Sequence, residues 1–514
     1  MNGASSLVTT LVGSGVDVCF TNPGTSEMHF VAALDKVDGM RAILALFEGV
    51  VTGAADGYYR MLERPASTLL HLGPGLANGI ANLHNAKKAG SGIVNIVGEH
   101  ASWHLAHNAP LTCDIEGLAR PVSAWVRTSP SATAIATDAA EAVAAASAPP
   151  GQIATLILPG DTAWNAAKSA APRLPVLARA KPSGTAVEAA ARVLALREPT
   201  LLVLAGQALR ADALEAAGRI AANTGCTVAT QFFSSRIERG AGRVAAFRIP
   251  YAVDLALKAL AGYRHIITVE TSEPVAFFAY PDKPSLLKPD GCQVHTLCPP
   301  GADSVAALDA LASAVGARRG VAKLQQREEV ATPTGGLNPQ SIALSLSALI
   351  PDNAIVVDES VTTGRESMGL TAGARPHDWL QNMGGSIGYG GPVATGAAVA
   401  CPDRKVICLS GDGSAMYTIQ SLWTQARENL DVVTVVFANR TYQILHTEFA
   451  GVLAGTPGPK ARSMLSIDRP TLDFVALARG MGVGGTRVTT AEAFCKALAG
   501  ACKERGPHLI EVVL

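Results

Sequence analysis

Short apolar runs rich in β-branched residues alternate with amphipathic stretches along the whole chain. KVICLS (405–410) is short and apolar enough to be a strand buried on both faces. AMYTIQSLWTQARENL (415–430) spaces Ile419, Leu422, Trp423 and Ala426 at helical intervals, and DVVTVVFAN (431–439) returns to a strand pattern. Strand, glycine turn, helix and strand predict a right-handed crossover, whose ligands bind outside the carboxyl ends of the strands. The same alternation runs through STLL (67–70), a helix to about Lys88, and GIVNIVGE (92–99). It recurs in LLVLAG (201–206), ADALEAAGRIAANTG (211–225) and HIITVE (265–270). The expected fold is therefore α/β, with three doubly wound domains and mainly parallel sheets. Pro- and Gly-bearing stretches at 171–184 and 326–339 divide the chain into 1–170, 184–326 and 339–514. The first and third segments echo each other. Gly73 precedes GIVNIVGE by nearly the spacing that separates Gly411 from DVVTVVFAN, as a duplicated domain or a shared crossover unit would give.

Composition narrows the classes. With 514 residues the chain can form two to four domains, each with its own core. Lys+Arg and Asp+Glu both number 42, and charged residues make up 16 %, which argues against nucleic acid or an anionic membrane as partner. No basic n-region with a cleavage site opens the chain, and no apolar run approaches the roughly 20 residues that span a bilayer. The nine cysteines are scattered without a CxxC pair, so buried free thiols and a cytoplasmic location are expected.

Several positions carry candidate chemistry. Gly411-Asp412-Gly413-Ser414 is followed 27 positions after Asp412 by Asn439. The pair places a carboxylate and a carboxamide at the carboxyl ends of two strands, as hard oxygen ligands for a Mg²⁺ that bridges a diphosphate. Glu48 sits between strand-like RAILALF (41–47) and helical GVVTGAADGYYR (49–60), among Leu44, Phe47, Val51 and Ala55. A carboxylate there is costly unless paired or protonated, although a helix dipole can also stabilise a first-turn glutamate. His71 ends STLLH before a glycine turn, a place suited to proton transfer near neutral pH or to a structural histidine. His100, His104 and His107 share one helical face, but no closing ligand or supporting shell accompanies them. A dinucleotide-binding crossover would need GxGxxG with an acidic residue about 20 positions on. GPGLAN and GDGSAM both lack the third glycine.

The GDGS motif and its distant asparagine resemble the thiamine diphosphate signature. The resemblance covers nearly the whole chain and is closest to the benzoylformate decarboxylase and acetolactate synthase branches. It implies that Asp412, Asn439 and the Thr441 carbonyl hold Mg²⁺, while Gly411, Gly413, Ser414 and Tyr442 lie along the diphosphate of thiamine diphosphate. Thr362 in DESVTTG (358–364) becomes a further oxygen contact, and Glu48 the partner of the aminopyrimidine N1′. In GGSIG (384–388), Ile387 becomes the wedge beneath the cofactor rings, and the Gly385 carbonyl faces the 4′-amino group. His71 becomes the substrate-facing acid/base. In the NPGTSE turn (22–27) Thr25 hydrogen-bonds the substrate carboxylate and Asn22 lines the mouth. The first and third segments would bind the pyrimidine and diphosphate ends of one cofactor from different subunits, making a homodimer the minimum and a homotetramer the expected assembly. The implied activity is decarboxylation of a 2-oxo acid, with carboligase activity. An acetolactate synthase-like joining of two carbonyl compounds is the alternative. Two departures stand out. Ala279 occupies the place of a second active-site histidine, and TYQILHTEFAGVL after Asn439 carries one extra residue, with His446, Glu448 and Phe449 near the expected pocket. Acetolactate synthases bind FAD through their middle domain, but residues 201–330 show no clear signature for it.

Overall fold

The computed structural model describes residues 1–514 and folds them around three sheets. The first contains β1 (Val18–Asn22), β2 (Arg41–Leu44), β3 (Ala66–Leu70), β4 (Ile93–Glu99), β5 (Trp125–Thr128) and β6 (Ile153–Pro159). Their order is β2-β1-β3-β4-β6-β5, and every pairing is parallel. β7 (Thr200–Leu204), β8 (Thr227–Thr230), β9 (Ile237–Arg239), β10 (Phe247–Arg248), β11 (His265–Val269) and β12 (Gln293–Cys298) follow. All of these except β9 form the second sheet, in the order β10-β8-β7-β11-β12. The third contains β13 (Ala354–Glu359), β14 (His377–Gln381), β15 (Val406–Gly411), β16 (Val432–Ala438), β17 (Gly484–Val488) and β18 (His508–Val513). Its order is β17-β18-β16-β15-β13-β14-β9.

Helices cover the sheets, and the central strands are apolar along their length because both faces are buried. The parallel α/β expectation is met, with one exception. β9 leaves the middle segment and pairs antiparallel with β14, His377 opposite Arg239. The middle segment is thereby stitched to the third sheet. No helix is long and apolar enough to cross a membrane. All nine cysteines are free; six are buried, but Cys113 is exposed, against the expectation of buried thiols.

The helix expected over 415–430 is broken. A turn of helix at Asp412–Ala415 is separated from Ser421–Arg427 by an irregular stretch. In that stretch the Thr418 hydroxyl donates to the Gly388 carbonyl at 2.9 Å, so a tertiary bond overrides the helical pattern.

Two helices join the first and third segments. Glu48–Leu62 packs directly on Gly390–Ala400, and the approach is so close that it depends on glycine. A Cβ on Gly396 would lie 1.8 Å from the Ala54 carbonyl oxygen, and one on Gly57 would lie 2.1 Å from that of Val393. Near this contact Arg60 is fully enclosed. It pairs with Asp56 at 2.7 Å and donates to the Gln381 carbonyl at 2.7 Å, the Ser235 carbonyl at 3.2 Å and the Tyr389 hydroxyl at 3.1 Å. One guanidinium thus ties together all three segments and fixes the end of β14, from which the 384–388 loop departs.

Candidate active site

The polar residues singled out in the sequence lie just past the carboxyl ends of parallel strands. β1 leads into the 22–27 turn, β2 to Glu48, β3 to His71, β15 to Asp412 and β16 to Asn439. Glu48 opens its helix and is only 9 % exposed. Its Oε2 accepts from the Asn78 amide at 3.0 Å, and no cation pairs with it. A buried carboxylate satisfied by a single neutral amide is poised to accept a further hydrogen bond from a ligand.

His71 precedes the helix Leu72–Ala89, and its Nδ1 lies 2.8 Å from Glu27 Oε2. The same oxygen accepts the Gly24 N–H at 2.7 Å. With that oxygen accepting the Gly24 N–H, a proton on Nδ1 gives the imidazole the same acceptor and leaves Nε2 as the ring nitrogen without a partner in the chain. Burial raises the Glu27 carboxyl, against the Gly24 N–H and His71, which lower it. Gly24 is required here, because a Cβ would lie 2.2 Å from the imidazole. Thr25 is exposed beside this pair, and Asn22 donates to the Ala45 carbonyl at 2.8 Å.

Asp412 is buried, and burial raises its carboxyl. It accepts from the Gly413 N–H at 2.8 Å and the Arg440 N–H at 2.6 Å. Asn439 Oδ1 accepts the Thr441 N–H at 3.1 Å, and the Thr441 hydroxyl is 2.9 Å from the Leu465 carbonyl and 3.2 Å from His446 Nε2. Asp412 has no lysine or arginine partner, so nothing in the chain compensates its charged form and a hard divalent cation would do so. No cluster of three or more His, Cys, Asp or Glu side chains offers a metal cage; a set of one carboxylate, one carboxamide and one main-chain carbonyl is of a different kind. Tyr442 covers Gly413 so tightly that a Cβ there would lie 2.3 Å from the ring. The donor set therefore fits a Mg²⁺-bound diphosphate. The three histidines of 100–107 lie side by side with rings tilted 59° and 54° to one another and centroids 5.4 and 5.7 Å apart, in a turn and a short 3₁₀ helix rather than on one helical face.

The 384–388 loop is held from both sides. Asn382 donates to the Ser386 carbonyl at 2.6 Å and accepts the Gly385 N–H at 2.9 Å. Asn85 donates to the same carbonyl at 2.8 Å and accepts the Ser386 N–H at 3.1 Å. Asn82 bridges the Gly49 and Gly388 carbonyls at 2.8 and 3.2 Å, linking the Glu48 turn to the loop. Gly385 has φ +78°, a left-handed conformation that suits glycine. Behind the loop, Glu359 accepts the N–H groups of Tyr389 and Gly390 at 2.8 and 3.0 Å, and burial pushes its carboxyl up to about 7.

Gly385, Ile387 and Tyr442 line a cavity of about 500 Å³, together with Glu448. Tyr280 donates to Glu448 at 2.8 Å and Tyr251 at 3.4 Å. Thr362 is half-buried between Val361 and Gly364, which line the cavity. Ala279 is exposed and does not line it, whereas Phe277 and Phe278 do. Glu48, His71 and Thr25 are also outside it, and no residue before Phe232 lines it. Within one chain the sequence-singled residues thus fall into two groups.

Three parts of the site were missed in the sequence. Glu27 stood in the quoted turn without a role, and Glu359 stood beside Thr362 in the same condition. Asn78, Asn82 and Asn85 recur at helical spacing in a helix that is otherwise small and apolar as far as Leu83, a periodicity that could have marked a face turned toward the site.

Comparison with known proteins places the chain in a family. The family described as thiamine pyrophosphate enzyme, N-terminal TPP binding domain, matches residues 1–118, and its C-terminal TPP binding domain matches residues 363–512. The chain is 52 % identical to the "Putative acetolactate synthase large subunit IlvX" of Mycobacterium tuberculosis, over 100 % of this chain and 99 % of that one. It is 32 % identical to a benzoylformate decarboxylase of Pseudomonas aeruginosa, over 97 % and 96 % respectively. The solved thiamine diphosphate-dependent 4-hydroxybenzoylformate decarboxylase of Rhodococcus jostii RHA1 superposes with a TM-score of 0.84 at 27 % identity, covering 99 % of this chain and 98 % of that one. The chain belongs to the thiamine pyrophosphate enzymes, in the branch that holds the benzoylformate decarboxylases and the acetolactate synthase large subunits.

Proposed function

We propose that this chain is a Mg²⁺- and thiamine diphosphate-dependent decarboxylase of a 2-oxo acid, with carboligase activity. The observation that carries this reading is Glu48, a buried carboxylate whose only partner is the neutral Asn78 amide. Holding a diphosphate would not require it. When bound, the cofactor supplies the electron sink for loss of CO₂. The chain's own groups would do the rest. Asp412, Asn439 and the Thr441 carbonyl would hold the metal, and Gly411, Gly413, Ser414, Tyr442 and Thr362 would contact the diphosphate. Glu48 and the Gly385 carbonyl would hydrogen-bond the aminopyrimidine, and Ile387 would support the cofactor rings. Thr25 binds the substrate carboxylate, and His71 moves a proton at Nε2 while Glu27 holds its Nδ1–H. Segments 1–170, 184–326 and 339–514 act as pyrimidine-binding, middle and diphosphate-binding domains. The working assembly is at least a homodimer and, by family resemblance, a homotetramer. Free thiols throughout fit a reducing cytoplasm.

The alternative is a carboligase that joins two carbonyl compounds in the manner of acetolactate synthases. It is favoured by Ala279, which leaves no histidine at that middle-segment position.

The test is CO₂ release from pyruvate, benzoylformate and branched 2-oxo acids with thiamine diphosphate and Mg²⁺, each with and without an added aldehyde. Aldehyde products would establish the decarboxylase, and hydroxy ketone or acetolactate-type products the alternative. Glu48→Gln should lower the rate at least about 100-fold while calorimetry still detects cofactor binding. Absence of CO₂ from every acid despite bound cofactor would overturn the reading.

A further inference from the structure

Two cavities meet where β10 ends, and the side chains of Arg248 and Arg365 line both. One is the cavity of about 500 Å³ that holds Gly385 and Ile387; its neighbour measures about 670 Å³. Arg248 donates its Nε–H to the Phe232 carbonyl at 2.7 Å and lies 3.7 Å from the centre of the Phe232 ring. Both of its Nη groups are without an acceptor. Arg365 donates no hydrogen bond to the chain and stands 5.4 Å from the centre of the Tyr251 ring. Neither arginine forms an ion pair.

The carboxylates around the smaller cavity are already engaged. Asp358 accepts the Ser360 N–H at 3.0 Å and the Trp379 Nε1–H at 3.1 Å. Glu359 caps Tyr389 and Gly390, and Glu448 is held by two tyrosines. Burial pulls the Arg248 guanidinium down to about 10, opposed only by the Asp358 charge. A partly desolvated guanidinium without an anion is unfavourable, and an incoming carboxylate relieves that cost with bidentate, charge-assisted bonds. The remaining lining is rich in aromatic rings, among them Phe232, Phe233, Phe277 and Tyr417. The reacting carboxylate is a poor match for this pair. It departs as CO₂, and a strong grip on it in the ground state would raise the barrier.

We propose that Arg248 and Arg365 form an anion-recognising end of the substrate cavity, so that the substrate is a 2-oxo acid with a second carboxylate at its far end. This rests on the 2-oxo acid reading above and names the substrate class within it.

Matched pairs test it: 4-carboxybenzoylformate against benzoylformate, and 2-oxoglutarate against 2-oxopentanoate, with the loaded enzyme. In at least one pair kcat/KM should favour the diacid by about tenfold or more. In Arg365→Gln, and separately in Arg248→Gln, that ratio should fall by about tenfold or more. Arg365 is exposed, so its variant folds even if that of Arg248 does not. A second readout needs no turnover: calorimetric binding of the inert diacid terephthalate, which should be at least about tenfold tighter than benzoate, compete with the 2-oxo acid, and weaken in Arg365→Gln. If the acids lose CO₂ with no diacid preference and terephthalate binds no tighter than benzoate, the arginine assignment falls and decarboxylation stands. If no acid loses CO₂ yet terephthalate binds through Arg365, decarboxylation falls and the anion site stands. Binding of terephthalate without competition would put the anion in the neighbouring cavity and overturn its assignment to the substrate.

Discussion

One oxygen of Glu27 serves both the Gly24 N–H and the His71 Nδ1–H, so its loss should be felt at the imidazole. Glu27→Ala leaves both donors without an acceptor and frees the ring to change tautomer. It should lower kcat/KM about 10- to 100-fold in steady-state assays, with Glu27→Gln less affected because its amide oxygen still accepts. Glu359 makes a different prediction. It ionises at about 7 in the folded chain against an ordinary 4.5, so the unfolded state releases its proton first as the pH rises. Folding is therefore progressively penalised from about pH 4.5 to about 7, by about 3 kcal/mol in all. Glu359→Gln cannot ionise, and its single carbonyl oxygen accepts only one of the two N–H groups, a fixed cost. The wild-type melting temperature should thus fall relative to that of the variant across this window and stay level above it. A constant difference from pH 4.5 to 8 would show that Glu359 does not titrate there. Asp412, Asn439 and Glu48 could be singled out in the sequence because each stands at the end of an apolar run. Glu359 also ends one, in β13, but its meaning, like that of Glu27, lies in groups about 30 and 44 positions away.

At the scale of elements, the apolar runs located strands well: KVICLS became β15, GIVNIVGE became β4 and HIITVE became β11. Burial on both faces writes a continuous signal that propensity alone can read. What failed was continuity where tertiary bonds compete, as in the 415–430 stretch that Thr418 diverts toward Gly388. β9, three residues long and borrowed by another sheet, left no periodicity to detect. The packing of Glu48–Leu62 on Gly390–Ala400 was equally hidden, although both are visibly rich in small residues. Gly396→Ala should push these helices apart, because the added carbon meets the Ala54 carbonyl oxygen, a backbone atom that no rotamer change can move. A destabilisation of about 1–3 kcal/mol or more is expected, read as a lowered melting temperature. An accompanying loss of activity would follow from the Asn82 bridge between the Glu48 turn and the 384–388 loop.

For the whole molecule, the arrangement of the site decides how many chains are needed. The cavity bounded by Gly385 and Ile387 receives no side chain from the first sheet or its helices, while Glu48 and His71 stand elsewhere on the same chain. Exposed apolar residues flank both groups: Met28, Leu46 and Trp103 near the first, Tyr417, Leu445 and Phe278 near the second. Apolar surface of this kind beside incomplete sites is what a second copy of the chain would cover. A site shared between chains can be told from a site within one chain by mixing two inactive variants. On the proposed reading, Glu48→Gln would disable the pyrimidine half and Asp412→Asn the metal half. If each site takes Glu48 from one chain and Asp412 from its partner, a hybrid dimer carries one doubly disabled site and one intact site. Random reassociation of equal amounts makes half the dimers hybrid, so about one quarter of wild-type activity should return. If each site is built within one chain, every site in every dimer carries one disabling change, and mixing restores nothing. Sedimentation of the mixture before and after reassociation checks that chains have exchanged, so that a failure to recover activity counts against the shared site and not against the mixing.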